Sequence, residues 1–136
     1  MGTQIDWESL ANQAWAVRKH AHAPYSRFAV GAALLAESGQ VYSGCNVENV
    51  SFGLTICAER SAAAAAIGAG CRKFLGIAIV ADTETPVVPC GACRQFLAEF
   101  HAAMPIYTVG RDGVSHSWLL SELLPSPFER IPLGAS

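Results

Sequence analysis

Charge is scarce in this chain. Of its 136 residues nine are Lys or Arg and eleven are Asp or Glu, 15% in all, against roughly 25% in an average soluble domain. The basic residues are scattered and the formal net charge is −2, so there is no electrostatic footprint for gripping a phosphate backbone, and nucleic acid is not an expected partner. Long apolar runs are missing too. Nothing approaches the roughly 20 residues that span a bilayer, and the N-terminus, carrying Asp6 and Glu8, lacks the basic start and apolar run of a signal peptide. No membrane role and a cytoplasmic location are expected. Repeats and low-complexity linkers are also absent, apart from the alanines at 62–66, which sit in a helical context; residues 1–136 are therefore expected to form a single domain, large enough to bury a core without disulfides.

What is present in excess is apolar. Hydrophobic residues make up 51% of the chain, more than one small domain hides by itself, and an oligomer is expected; an Ala-rich, weakly charged monomer is the alternative. Five cysteines is an odd count, and Cys90 and Cys93 form a Cys-x-x-Cys pair. In a reducing compartment that pattern points to metal or redox chemistry, not to a disulfide framework.

Trp7, Leu10, Ala11, Ala14 and Val17 recur at helical spacing and predict a helix from Asp6 to about Ala21, closed by Pro24. Phe28 to Leu35 reads as a buried strand, turned at Ser38-Gly39 into a second strand over Val41 to Val47. A loop from Asn49 to Thr55 leads to an Ala-rich helix from about Cys57 to Ile67, ended by Gly68 and Gly70. Phe74 to Ala81 is a third strand, Asp82 to Pro89 a loop, and Gly91 to about Phe100 a helix. Strands at Pro105 to Val109 and near Val114 to Trp118 follow, then a short helix around Leu119 to Leu124 that stops at Pro125. Strands alternating with helices after an opening hairpin predict a three-layer α/β/α fold on a mixed sheet of about five strands.

The chemistry-bearing residues sit where loops enter helices. Cys57-Ala58-Glu59-Arg60 and Pro89-Cys90-Gly91-Ala92-Cys93 bring three thiols that can hold one Zn²⁺, and Glu59 can reach a water on the fourth position. A structural zinc normally has four protein ligands, whereas a catalytic one keeps a position open. Helix-start N–H groups are expected to point at the sulfurs and lower the cysteine pKa values. Arg60, beside them, would draw off the excess negative charge of three thiolates as an outer partner of the metal site; a solvated surface arginine is the alternative. Taken alone, Cys90 and Cys93 would equally fit a thioredoxin-type redox pair or half of a structural zinc knuckle.

With Cys57, Glu59 and Pro89 included, the spacing resembles the zinc deaminases of nucleobases, in which a glutamate shuttles protons without ligating the metal. Cysteine stands here at the first ligand position, where many relatives have histidine. The resemblance narrows to the cytidine deaminases of the short homotetrameric form and covers nearly the whole chain. Tyr25-Ser26-Arg27-Phe28 followed by Val30-Gly31-Ala32-Ala33-Leu34 looks like that family's first strand, Gly44-Cys45-Asn46-Val47-Glu48-Asn49 is similar to its nucleoside-binding segment, and Glu122 to Pro125 with Phe128 matches its C-terminal motif.

The resemblance implies zinc held by Cys57, Cys90 and Cys93, with Glu59 as the catalytic acid–base and Asn46 and Glu48 on the ribose. It puts Phe28 against the pyrimidine, backbone N–H groups near Ala58 and Cys90 at the base edge, and Phe128 in a neighbouring subunit's pocket within a homotetramer. The implied reaction is hydrolytic deamination of cytidine and 2′-deoxycytidine. Residue chemistry agrees, since a polyol needs paired donors and acceptors, and an amide and a carboxylate two residues apart on a strand end face one side. Phe52 departs from the pattern, standing where relatives often have tyrosine. Cys45 and Cys71 are expected to be ordinary buried thiols, and His20, His22, His101 and His116 surface or packing residues. A deaminase of a cytosine-containing antibiotic nucleoside is the nearest alternative, and a structural zinc module a more distant one.

Overall fold

The computed structural model describes residues 4–129. Helix α1 (Trp7–Arg18) starts at Asp6, whose carboxylate accepts the Ser9 N–H at 3.1 Å, the ordinary service of an N-cap aspartate. It ends three residues before the expected Ala21, because His20 and Ala21 bond back to Val17 and Arg18 in tightened turns. Strands β1 (Val30–Ala36), β2 (Val41–Cys45), β3 (Phe74–Ala81), β4 (Pro105–Val109) and β5 (Ser115–Leu119) alternate with α2 (Ala58–Gly68), α3 (Gly91–Ala98) and the short α4 (Leu120–Leu123). The sheet order is β2-β1-β3-β4-β5. Only β3 and β4 pair in parallel, the other neighbours being antiparallel, so the sheet is mixed as expected.

Period-two alternation splits the strands into two apolar faces. Ala33, Ala78 and Val80 face α1 through Leu10, Ala11 and Ala14; Ala32, Leu34, Ile77, Ile79 and Ile106 face the other way, onto Ala58, Ala62, Ala63 and Ala66 of α2 and Leu97 of α3. Two glycines set the spacing of these layers. A Cβ at Gly31 would lie 2.0 Å from the Ala14 carbonyl oxygen, and one at Gly44 would lie 2.4 Å from the Ala62 nitrogen, so each lets a helix backbone rest directly on a strand.

Two strand boundaries differ from expectation, and both differences shape the site. The strand expected from Phe28 begins at Val30, because Arg27 takes a left-handed φ of 59° and turns Phe28 out of the ladder. The strand expected to reach Val47 ends at Cys45, opposite Gly31 near the start of β1. Beyond it Val47 makes isolated bridges to His22 and Ile56 instead. The expected loop at 49–55 contains one 3-10 turn, Phe52–Leu54.

Because β2 and β3 both run antiparallel to β1, they leave the sheet at the end where β1 enters it, with Val30 opposite Ala81 and Gly31 opposite Cys45. The loops feeding α2 and α3 therefore converge at that end, the place where open α/β sheets build their crevices. No helix among the described residues is long and apolar enough to cross a membrane.

Candidate active site

Cys57 is the N-cap of α2 and Cys90 the N-cap of α3, with Cys93 one turn into α3 and fully buried. The three sulfurs lie within 4.8 Å of one another, and those of Cys57 and Cys90 are 3.7 Å apart. Tetrahedral zinc with sulfurs at about 2.3 Å places them about 3.8 Å apart, so the donor set fits zinc in both chemistry and spacing. No fourth His, Cys, Asp or Glu joins the cluster among the described residues. A tetrahedral ion held by these thiols would take three ligands from the described residues and keep one position open.

Glu59, only 5% exposed, lies beside this cluster. Burial pushes its carboxyl up to about 7, and the Cys57 sulfur adds to the shift. A carboxyl held near neutrality is suited to accept and return a proton at physiological pH. The thiols share their protons unevenly. Cys57 is drawn down to about 5, first by the Cys93 thiol and then by Arg60 and Cys90, while Cys93 is driven up by the same hydrogen bond and by burial. This corrects the sequence-based expectation, since neither Cys57 nor Cys90 makes a side-chain capping bond and the thiols act chiefly on each other. Arg60 does turn to the cluster: its Nη2 is 3.7 Å from the Cys57 sulfur and 3.4 Å from the Thr55 carbonyl oxygen.

Above the thiols opens a cavity of about 250 Å³ lined by Phe28, Asn46, Glu48, Cys57, Ala58, Glu59 and Cys90, together with Ser26, Val30, Thr55, Ile79, Val87 and Val88. The structure so gathers every expected site residue except Arg60, Cys93 and Phe128 into its wall. A larger hollow of about 450 Å³ lies between Glu37–Ser38 and Gly70–Lys73, at the opposite end of the sheet, where no ligating cluster exists among the described residues.

Two wall residues are anchored through their functional groups. Asn46, 8% exposed, accepts the Val30 N–H at 2.9 Å and donates to the Phe28 carbonyl at 2.7 Å. Glu48 accepts the N–H groups of Tyr25 and Ser26 at 3.0 and 3.1 Å and the Ser26 hydroxyl as well. These donors hold its carboxyl below the usual carboxylate range, the Ser26 hydroxyl contributing most. Phe128 is 73% exposed and lies outside the cavity of its own chain. The Gln95 side chain grips its backbone at both ends, accepting the N–H at 2.9 Å and donating to the carbonyl at 3.0 Å.

The sequence profile of the cytidine and deoxycytidylate deaminase zinc-binding region matches residues 5–109. The chain belongs to this family. A cytidine deaminase of Sporosarcina psychrophila is 47% identical over 131 residues, covering 96% of each chain. Among solved structures, the cytidine deaminase of Burkholderia pseudomallei superposes with a TM-score of 0.88 at 42% identity, over 91% of this chain and all of that one. That of Mycobacterium tuberculosis gives 0.81 at 40% identity, over 93% and 100%. The fold of this deaminase-family chain is therefore that of its relatives.

The residues that sequence reasoning missed are Ser26, Val30, Thr55, Ile79, Val87 and Val88, which line the cavity, and Gln95, which holds Phe128 by its backbone. Tyr25-Ser26-Arg27-Phe28 was itself a visible motif, but nothing in it marked the serine as the partner of Glu48. Cys45 and Cys71, expected to be buried, are half-exposed, and the Cys71 sulfur lies 3.5 Å from the Tyr42 hydroxyl. His101 reaches the Phe74 carbonyl at 3.0 Å and His116 stacks on Trp118, both packing roles.

Proposed function

We propose that this chain catalyses zinc-dependent hydrolytic deamination of cytidine and 2′-deoxycytidine, yielding the uracil nucleoside and ammonia. The observation that carries this reading is the buried Glu59 carboxyl beside three thiols of zinc spacing, on the floor of a cavity whose wall holds Phe28, Asn46 and Glu48. Cys57, Cys90 and Cys93 would hold the metal. When bound there, zinc supplies Lewis acidity that makes water a nucleophile near neutral pH.

The chain's own residues do the rest. Glu59 takes a proton from the attacking water onto a carboxylate oxygen and delivers it to N3 of the pyrimidine, which leaves C4 electrophilic as the C–O bond forms. The second water proton travels by the same carboxyl to the exocyclic amine, and ammonia departs as the C4–N bond breaks. Phe28 packs on the base, while Asn46 and Glu48 offer hydrogen bonds to the sugar. Backbone groups near Ala58 and Cys90 border the base edge. Arg60, close to the Cys57 sulfur, tempers the negative charge of the thiolates.

The low charge and the exposed Phe28, Phe52 and Phe128 support contacts between copies of this chain, and the resemblance to the short homotetrameric deaminases makes that assembly a homotetramer in which Phe128 closes the cavity of a neighbouring chain. An apolar rim of this kind is what buried subunit contacts cover. A free nucleoside, not a polynucleotide, fits the small cavity and the acidic balance, and the composition suits a cytoplasmic enzyme. Zinc content measured alongside the fall in cytidine absorbance tests the reading. One zinc per chain with turnover supports it, and a stoichiometric zinc protein inert on cytidine and deoxycytidine refutes it.

A further inference from the structure

Ser26 occupies a junction that the catalytic reading leaves unexplained. Its hydroxyl donates to Oε2 of Glu48, and its oxygen accepts the Phe28 N–H at 3.0 Å. One side chain thus bonds both the carboxylate and the backbone of the aromatic residue across the cavity wall, and Asn46 ties down the same aromatic residue by its carbonyl. Between Ser26 and Phe28 lies Arg27 with its left-handed φ of 59°, a conformation that a non-glycine residue keeps only when its neighbours over-determine it.

The hydrogen-bond inventory of Glu48 is nearly full. A carboxylate offers about four acceptor sites; Oε1 uses two on the Tyr25 and Ser26 N–H groups, and Oε2 uses one on the Ser26 hydroxyl. One acceptor site remains, on the oxygen that Ser26 orients. Glu48 and Ser26 both line the cavity, so the remaining site is available to a ligand there.

We propose that Ser26 is a positioning residue for sugar recognition: its hydroxyl fixes the Glu48 carboxylate so that a single acceptor meets one ring hydroxyl of the nucleoside, and it locks that acceptor in register with Phe28. The proposal rests on the reading that Glu48 binds the sugar. Without the hydroxyl, Oε2 loses its fixed orientation, while Phe28, though it loses the partner of its N–H, stays held through its carbonyl by Asn46, and zinc and Glu59 are untouched. Binding that is equal in ground and transition states then weakens, which raises KM more than it lowers kcat.

The test compares zinc-loaded parent, Ser26→Ala, Ser26→Thr and Glu48→Gln on cytidine and on 2′,3′-dideoxycytidine, which lacks both ring hydroxyls. Ser26→Ala is expected to raise KM for cytidine about tenfold with kcat within threefold, to leave KM for the dideoxy analogue within twofold, and to be rescued by Ser26→Thr. Should Ser26→Ala fold poorly, Ser26→Cys, a near-isostere with a weak donor, is expected to show the same substrate-selective rise at smaller size. An equal rise on both substrates, a fall in kcat alone, or no change overturns the role of Ser26. If Glu48→Gln also affects both substrates equally, the sugar reading of Glu48 has failed as well. If Glu48→Gln is cytidine-selective while Ser26→Ala is not, only the role of Ser26 is lost.

Discussion

The floor and the rim of the cavity are built on different principles. The floor consists of two helix starts: Cys57 and Cys90 cap α2 and α3, and the side chains of Glu59 and Cys93, a turn further in, are buried. Their positions follow from where the sheet ends and the helices begin. The rim consists of aromatic and polar residues outside any element, such as Phe28, 42% exposed, and Glu48, held by side-chain bonds to distant backbone; Phe128, 73% exposed, lies beyond it. A floor so made is complete in one chain, whereas the rim leaves apolar surface that a neighbouring chain would cover. On the proposed function, reactivity is a property of the fold and substrate fit a property of clamps laid upon it.

The largest break in that contrast comes from the floor. Changing Cys57, Cys90 or Cys93 to alanine is expected to abolish zinc binding and activity together, with Cys45→Ala and Cys71→Ala sparing both; metal analysis and a cytidine assay on the five proteins check this. Loss of zinc from Cys45→Ala would point instead to a closed structural site.

Asn46 belongs to both regions, because its amide holds the rim to β1. Asn46→Ala strands the buried Val30 N–H and the Phe28 carbonyl, at about 1–3 kcal/mol for each group left unpaired. A clear fall in unfolding free energy is therefore expected in addition to weaker cytidine binding, whereas Glu48→Ala should act chiefly on binding. Denaturant melts of the two variants distinguish them, and equal stabilities would remove the clamp role of Asn46.

The floor also carries a pH signature in the metal-free protein. Glu59 has a folded pKa of about 7 against 4.5 when unperturbed, so the native state holds its proton more tightly. Its stabilising contribution is complete below 4.5 and is lost as pH rises through 7. Cys57, lowered to about 5, works in the opposite sense: its contribution is present at high pH and fades as pH falls through 5. The Glu59 part is isolated by difference. The stability of Glu59→Gln relative to the parent is expected to grow by up to about 3 kcal/mol between pH 4.5 and 7.5, measured by denaturant melts of zinc-stripped protein. A difference independent of pH would mean that Glu59 is not desolvated.

A smaller effect is expected at the outer rim. Phe128→Ala should raise KM for cytidine about tenfold, as removal of a partly buried ring from a binding site does, with zinc content unchanged. Light scattering of the active parent that gave a monomer mass would remove the neighbouring-chain role of Phe128.

The same contrast explains what could be read from the chain. The five strands and four helices were legible in order because apolar runs end at glycines and prolines, as at Ser38-Gly39 and Pro125. The floor was legible because its residues lie within two short motifs at helix starts. The rim was legible only in part, through resemblance. The bonds from Ser26 to Glu48 and from Gln95 to Phe128 join residues 22 and 33 positions apart, and no local pattern announces them. The turn at Arg27 was hidden for a related reason: arginine has no preference for a positive φ, and the surrounding bonds impose it. The early end of β2 has the same origin, since its partner β1 starts only after that turn.

Glu59 is proposed to move protons at a zinc site that it does not help to hold. Glu59→Gln, assayed for zinc and for cytidine turnover in the same preparation, tests it most directly. The expected result is one zinc per chain, as in the parent, and a loss of kcat of at least about 10²–10⁴-fold. Turnover within tenfold of the parent at full zinc occupancy would contradict it.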